Sequence, residues 1–410
     1  MGASTVFTDI PVPSAPLLTA PQGPAGKRRI LFLLPYPLHT VPGQRLKFEQ
    51  YYPSFEEQGI EVVVSPFMAR ALWRILYQRG RLIQKIFYTL LGYGRRFIDL
   101  CRAKRFDAVY IHLWALPLGP PWFEELLARR GVPIIYDIDD LIYLPRASQA
   151  NAFMRRFRKE DRIARIMQVA RHVIVCTEYL RQVALRHNSA VTTIPSTINT
   201  AIYYPRRHSS ATRAVTIGWS GSHSTAPYLR LIAPALTRLA QRFDIRLLVI
   251  GAPDFRLDGI RVETRPWRTE RETADLAEMD IGVYPLPHEE WVLGKSGLKA
   301  LQYMGMGIPV VASAIGAAME FIVDGENGFL VRDLDEWEAR VAQLIQQPAL
   351  RVRLGAAGRA TVEQHFSVAG AVPVYLKVLA SVAGVSFGAS AGSAGEQPAL
   401  SLAEPVLERF

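Results

Sequence analysis

The sequence predicts an α/β fold made of two Rossmann-like units in series, and three observations carry that expectation. The chain has 410 residues, more than one hydrophobic core ordinarily holds. Short apolar runs rich in Val, Ile and Leu alternate with amphipathic stretches, which is the pattern of a parallel sheet covered on both faces. The alternation lapses once, just after residue 204, and then begins again.

The elements follow in order. Residues 1–26 are rich in Pro, Ala and Ser and have no continuous apolar stretch, so a disordered tail is expected rather than a secretion signal. The first unit is expected over 27–204. KRRILFLL reads as a buried strand, the Pro/Gly-rich PYPLHTVPGQR as a functional loop, and Leu46 to Gln58 as a helix. EVVVSP, AVYIHL, PIIYDI and HVIVCT are further strand candidates. Pro, Ser and charge replace apolar periodicity over 205–213, the expected hinge. The second unit, 214–372, contains AVTIGWSGS, a helix from Tyr228 to Arg242, RLLVIGAP, GIRVET, MDIGVYPL, a helix around Lys299 to Met304, and IPVVAS. Residues 373–383 are expected to form a helix returning to the first unit, and the Gly/Ala/Ser-rich 384–410 a disordered tail.

Composition narrows the function. No apolar run approaches the roughly 20 residues needed to cross a bilayer. Cys101 and Cys176 stand apart without metal-ligand or redox spacing, which fits a reducing cytoplasm. The net charge of +11 points to a polyanionic partner, yet no nucleic-acid recognition motif accompanies it. The charge concentrates between Phe67 and Asp107, where ten Lys and Arg residues face only Asp99 before the segment ends. Apolar residues recur there at three- and four-residue spacing. Two readings stand side by side: basic helices resting on an anionic membrane surface, at the inner face of the cell membrane, or a core-facing stripe with a solvated basic face.

Chemistry concentrates in GKSGLKALQYMGMGIPVVAS, residues 294–313. On a helix, Lys295, Lys299 and Gln302 share one side, presenting two ammonium groups and an amide together. Two cations beside a helix start suit a diphosphate. The Gly/Ser turn Gly218 to Thr225, including Ser220, Gly221 and Ser222, is a second candidate phosphate cradle. YDIDDLIY places Asp137, Asp139 and Asp140 at a strand end, either as cleft carboxylates or as an Asp-x-Asp cation site. Gly43, Gln44, Arg45 and His112 are expected along the other wall of the cleft.

The run GKSGLKALQYMGMGIPVVAS resembles the donor-site signature of the family 4 glycosyltransferases, which adopt the GT-B fold of two Rossmann-like domains facing across a cleft. DIGVYPL, DGENGFLVRD and IPSTINTAIYYP resemble further family segments in the same order, with weaker support from HVIVCTEYLRQVA and FEQYYP. The family carries two glutamates eight residues apart at the site, and here Gly294 and Gln302 stand in their places. Gln302 is expected to hydrogen-bond the donor ribose, and Glu289 and Glu290 are the nearest substitutes for the missing first carboxylate.

The resemblance implies transfer of a sugar from a nucleoside-diphosphate donor of UDP or GDP type to a glycan or lipid-linked acceptor. It further implies retention of configuration and no metal or prosthetic group, in polysaccharide or glycolipid synthesis. Lys295 and Lys299 are expected to stabilise the leaving diphosphate, with Asp139 and Asp140 on the opposite wall. The alternative is a catalytically degenerate GT-B protein that binds sugar nucleotides as a scaffold. Sugar-nucleotide epimerisation and nucleic-acid binding lack their expected residues.

Overall fold

The computed structural model describes residues 27–76, 78, 80–139, 159–205 and 214–384. The two expected tails, most of the hinge and Asp140 lie outside the described residues.

Two six-stranded parallel sheets follow one another. The first comprises β1 (Arg28–Leu34), β2 (Ile60–Pro66), β3 (Ala108–His112), β4 (Ile134–Ile138), β5 (His172–Val175) and β6 (Val191–Thr193), in the order β2-β1-β3-β4-β5-β6. The second comprises β7 (Val215–Ser220), β8 (Ile245–Ile250), β9 (Arg261–Arg265), β10 (Ile281–Tyr284), β11 (Val310–Ser313) and β12 (Phe329–Val331), in the order β12-β11-β10-β7-β8-β9. Both are doubly wound, so each aims the loops beyond its strand ends toward the other. The central strands are buried because helices cover both faces, as the uninterrupted apolar runs require. β6 and β12 have three residues each, too few to register as apolar runs.

Local chemistry moves several boundaries. The expected helix over Leu46 to Gln58 is instead two helices, Pro42–Lys47 and Tyr52–Glu57, separated by a short 3-10 turn at Glu49–Tyr51. Phe48 leaves helical geometry at φ −144°, and Pro53 has no amide with which to continue the earlier ladder. The stretch from Tyr228 begins as the 3-10 segment Ala226–Ile232 and becomes α-helical only over Ala233–Ala240.

The last helix, Val368–Ala383, is longer than expected and packs on the N-terminal domain. Tyr375, Leu379 and Val382 join Ile30, Phe32 and Phe55 in one core, and the Tyr375 hydroxyl donates to the Lys47 carbonyl at 2.9 Å. The chain thus passes between the domains twice. The two passages meet where Ile198 pairs with Ser367, and Arg359 ties the first to the C-terminal domain through the carbonyls of Thr200 and Gly305.

Candidate active site between the two domains

The C-terminal wall is built around Lys299. The helix Leu298–Gly305 begins after Gly297, whose φ of +67° is left-handed and favours glycine. Lys299 therefore sits in the first turn, its ammonium 4.5 Å from the centroid of the Trp219 ring and 3.0 Å from Thr225 Oγ1. Gly221 makes this approach possible: a Cβ there would meet Trp219 at 2.4 Å and Lys299 Nζ at 2.6 Å. Burial, reinforced by the Lys295 charge, brings the Lys299 ammonium down to about 7.

Lys295 departs from expectation. It precedes the helix in extended geometry, at φ −74° and ψ 132°, because the left-handed Gly297 separates it from the helical run. Its ammonium stands 5.0 Å over Trp291. The two lysines thus converge on one region from different local structures.

Three amides of the Gly/Ser turn are engaged within the domain. Gly218 lies within β7, where a Cβ would collide with Met279 at 2.1 Å. The Ser220 amide donates to the Tyr303 hydroxyl at 2.7 Å, that of Gly221 to Ile250 at 2.9 Å, and that of Ser222 to Thr225 Oγ1 at 3.2 Å. Gly218 and Ser220 are packing residues. The exposed hydroxyls of Ser222 and Ser224 and the half-buried hydroxyl of Thr225, which accepts from Lys299, form one cluster that can meet an anion.

Gln302 turns inward. It is buried, and its amide donates to Glu272 Oε1 at 2.9 Å and to the Tyr203 hydroxyl at 3.3 Å. Glu272 also accepts from Arg45, from the Tyr203 hydroxyl at 2.7 Å and from the Trp267 indole at 3.1 Å. The Arg45 guanidinium is thus committed to Glu272. Burial opposes its charge, but the carboxylate outweighs this and raises it above its ordinary value. Glu289 and Glu290 are exposed on the loop before Trp291, where Glu289 accepts from the Trp291 indole and Glu290 from the Tyr179 hydroxyl. Gly294 is buried, and its carbonyl takes a contact of 3.8 Å from the Cys176 thiol.

On the N-terminal wall, Asp139 and Gly43 are neighbours; a Cβ on Gly43 would lie 3.8 Å from Asp139 Oδ2. The Cys176 thiol also donates to the Asp139 carbonyl at 3.4 Å, so Asp139 and Gly294 face each other across it. Two other candidates turn inward. Gln44 is buried, bonded to the Tyr36 backbone in both directions and to Glu49. His112 is buried edge-on to Phe48, with Nδ1 3.7 Å from Asp137. Asp137 itself is buried beside Lys47 and accepts from the Tyr110 hydroxyl. Burial pushes this carboxyl up, but the Lys47 charge, His112 and Tyr110 prevail and hold it below its ordinary range. Asp137 is consumed in the core, so it does not pair with Asp139 as a cation site. Among the described residues, no group of three or more His, Cys, Asp and Glu side chains converges as a metal site.

Sequence reasoning missed Glu272, Trp267, Tyr203, Trp219 and Glu320. Glu320 receives the Glu178 amide at 3.3 Å, at the start of the helix Glu178–Leu185. Burial lifts its carboxyl to about 7 although that amide opposes the shift. The cluster RPWRTERE after β9 was the one available signal, since loops at strand ends line such clefts.

Two domains, each a six-stranded parallel sheet covered by helices, make up the GT-B fold. Residues 17–196 match the model described as a glycosyl transferase 4-like domain, and residues 214–347 match that of glycosyl transferases group 1, so one match falls on each domain. A D-inositol 3-phosphate glycosyltransferase from Stackebrandtia nassauensis is 25% identical over 288 residues, 61% of this chain and 63% of that one. In three curated relatives the matched stretch spans 21%, 63% and 34% of their own length, below two thirds in each. Among solved structures, a sucrose-phosphate synthase from Thermosynechococcus elongatus superposes with a TM-score of 0.62 at 18% identity, covering 86% of this chain and 100% of that one. An Anabaena protein in complex with UDP-glucose gives 0.61 at 15% identity, covering 86% and 99%.

Proposed function

We propose that the protein transfers a sugar from a nucleoside-diphosphate sugar, of UDP or GDP type, to a glycan or lipid-linked acceptor, with retention and without a metal. The observation that carries this reading is the Lys299 ammonium beside the hydroxyls of the Ser222–Thr225 turn. As the glycosidic bond breaks, negative charge grows on the β-phosphate. Lys299, Lys295 and the turn hydroxyls stabilise that charge more than the ground state. The acceptor hydroxyl attacks from the face the diphosphate leaves, passing its proton to a departing phosphate oxygen. Asp139, across the cleft, supports the cationic sugar carbon. We place the protein on the cytoplasmic face of a membrane, in polysaccharide or glycolipid synthesis, because its cations concentrate in one segment of the N-terminal domain.

One observation favours a second reading, a scaffold that binds sugar nucleotides without transfer. Gly294 supplies no carboxylate, and the Gln302 amide is already held by Glu272 and Tyr203. A thermal-shift series with uridine and guanosine diphosphates and their sugars, followed by assay of diphosphate release, separates the two. Stabilisation with release supports transfer, stabilisation without release supports the scaffold, and no stabilisation overturns both.

A further inference from the structure

The 21-residue helix Leu82–Arg102 is turned inside out. Its inward side carries Gly92, Arg96, Asp99 and Leu100. Arg96, 1% exposed, donates to the carbonyls of Leu34, Ser65 and Ala115 at 2.9 to 3.0 Å and pairs with Asp99. Asp99 accepts from the Ser65 hydroxyl at 2.6 Å. At Gly92 the helix lies so close to Phe67 that a Cβ would approach that ring at 2.8 Å.

Its outward side is apolar. Ile83, Ile86, Phe87, Leu90, Phe97 and Ile98 are 50 to 84% exposed. Their spacing of i, i+3, i+4, i+7, i+14 and i+15 is one continuous helical stripe. Rotation cannot hide it, because turning the helix would pull Arg96 from three carbonyls and Asp99 from the Ser65 hydroxyl, leaving those buried groups without partners. The exposure is therefore fixed by the fold.

We infer that this stripe inserts into the headgroup and acyl boundary of an anionic bilayer, with the helix lying in the membrane plane. Three observations select that occupant. Asp99 is the one acidic side chain described between residues 70 and 105, and it is buried, so the charges this segment turns to solvent are cations. Arg81, Lys104 and Arg105 at the two ends of the helix, and Arg70 and Arg74 on the preceding helix Arg70–Ile75, are exposed, complementary to lipid phosphates. At about 31 Å the helix is long, but among the described residues no helix is apolar enough to cross a membrane, which leaves the interfacial orientation. A second copy is a poor cover. A two-fold contact sets the same patch against itself, here cations against cations.

This rests on the placement at a membrane proposed above and deepens it by assigning the face and an apolar source of binding. The test is co-flotation of the full chain with phosphatidylcholine vesicles, with and without phosphatidylglycerol, comparing wild type with Ile83→Ser/Phe87→Ser/Leu90→Ser. The wild type is expected to bind the anionic vesicles, and the variant to bind at least about tenfold more weakly with an unchanged circular dichroism spectrum. Equal binding of the two proteins to anionic vesicles overturns insertion while the membrane placement survives on charge. Absence of wild-type binding overturns both, and a wild-type dimer that the variant converts to monomer assigns the stripe to a second copy instead. Thermal shift by uridine and guanosine diphosphates, read in parallel, keeps donor binding separate from each of these outcomes.

Discussion

Arg45, in the helix Pro42–Lys47 of the N-terminal domain, and Glu272, the first residue of the helix Glu272–Leu276 of the C-terminal domain, form an ion pair across the cleft. Glu272 is 6% exposed at its side chain and gathers four donors: Arg45, Tyr203, Trp267 and Gln302. Removing it takes the carboxylate from all four, leaving Arg45 and Gln302 only the Tyr203 hydroxyl. Glu272→Ala is expected to lower stability by about 3 kcal/mol in urea denaturation, because a mostly buried guanidinium loses its counter-charge. Denaturation indistinguishable from wild type would show that the pair contributes nothing.

Lys299 gives a prediction with a direction in pH. Its folded value of about 7 lies below the ordinary lysine value, so between the two the unfolded chain holds a proton the folded chain lacks. The free protein gains stability from this group as pH rises through that window. A bound diphosphate favours the ammonium, so nucleoside-diphosphate binding at about pH 8 is expected to take up a proton. Calorimetry in buffers of different ionisation enthalpy measures it. Proton uptake that persists in Lys299→Met would assign the effect to another group.

For the reaction itself, Lys299→Ala is expected to lower transfer by about 100-fold or more, the scale of losing one charge stabiliser of a transition state. The fold should remain, since Lys299 makes one side-chain hydrogen bond, to Thr225. Near-normal transfer with an intact circular dichroism spectrum would remove Lys299 from the clamp.

Glu320 titrates in the opposite sense. Its folded value of about 7 lies above the unfolded carboxyl, so the contribution is fully present at low pH, is lost as pH rises to about 7, and stays lost above that. Glu320→Gln keeps an acceptor for the Glu178 amide and removes the charge. It should stabilise the protein at pH 8 by about 1–2 kcal/mol, discounted for partial exposure, and flatten the slope from pH 5. Urea midpoints at the two pH values decide it, and a variant less stable at pH 8 would contradict it.

Gly251 holds the turn from behind. Its φ is +92°, and a Cβ would stand 1.9 Å from the Gly221 carbonyl oxygen. Gly251→Ala should cost about 2–4 kcal/mol through strain and overlap, and weaken nucleoside-diphosphate binding by moving Gly221 away from Lys299. Unchanged melting and binding would mean that the turn accommodates the methyl.

The strands were legible because each buried strand is an apolar run, and all but the three-residue β6 and β12 announced themselves. Lys299 was legible because it stands just after a turn glycine and ahead of a buried strand. Lys295 was placed on the same helix because residue spacing alone does not reveal the left-handed φ of Gly297. The buried contact of Gln302 with Glu272 is not legible in the sequence, because its partner lies 30 residues upstream on another element. The helix Leu82–Arg102 illustrates the same limit. Periodicity gives the existence of an apolar stripe, but its outward direction is set by the carbonyls of Leu34, Ser65 and Ala115, which capture Arg96 from three distant loops and strands.

The helix Val368–Ala383 also fixes an order of events. Tyr375 packs tilted on Tyr51 at 4.6 Å and edge-on to Phe55 at 5.8 Å, completing the underside of the domain whose strands begin at Arg28. Synthesis delivers that helix after the whole C-terminal domain. The N-terminal domain is therefore made before the C-terminal one yet finished after it, and through translation of the entire second domain it carries an open apolar groove. A chain that stops short of Val368 releases the C-terminal sheet complete and the N-terminal one unsealed, so premature termination should be felt in the half of the molecule made first.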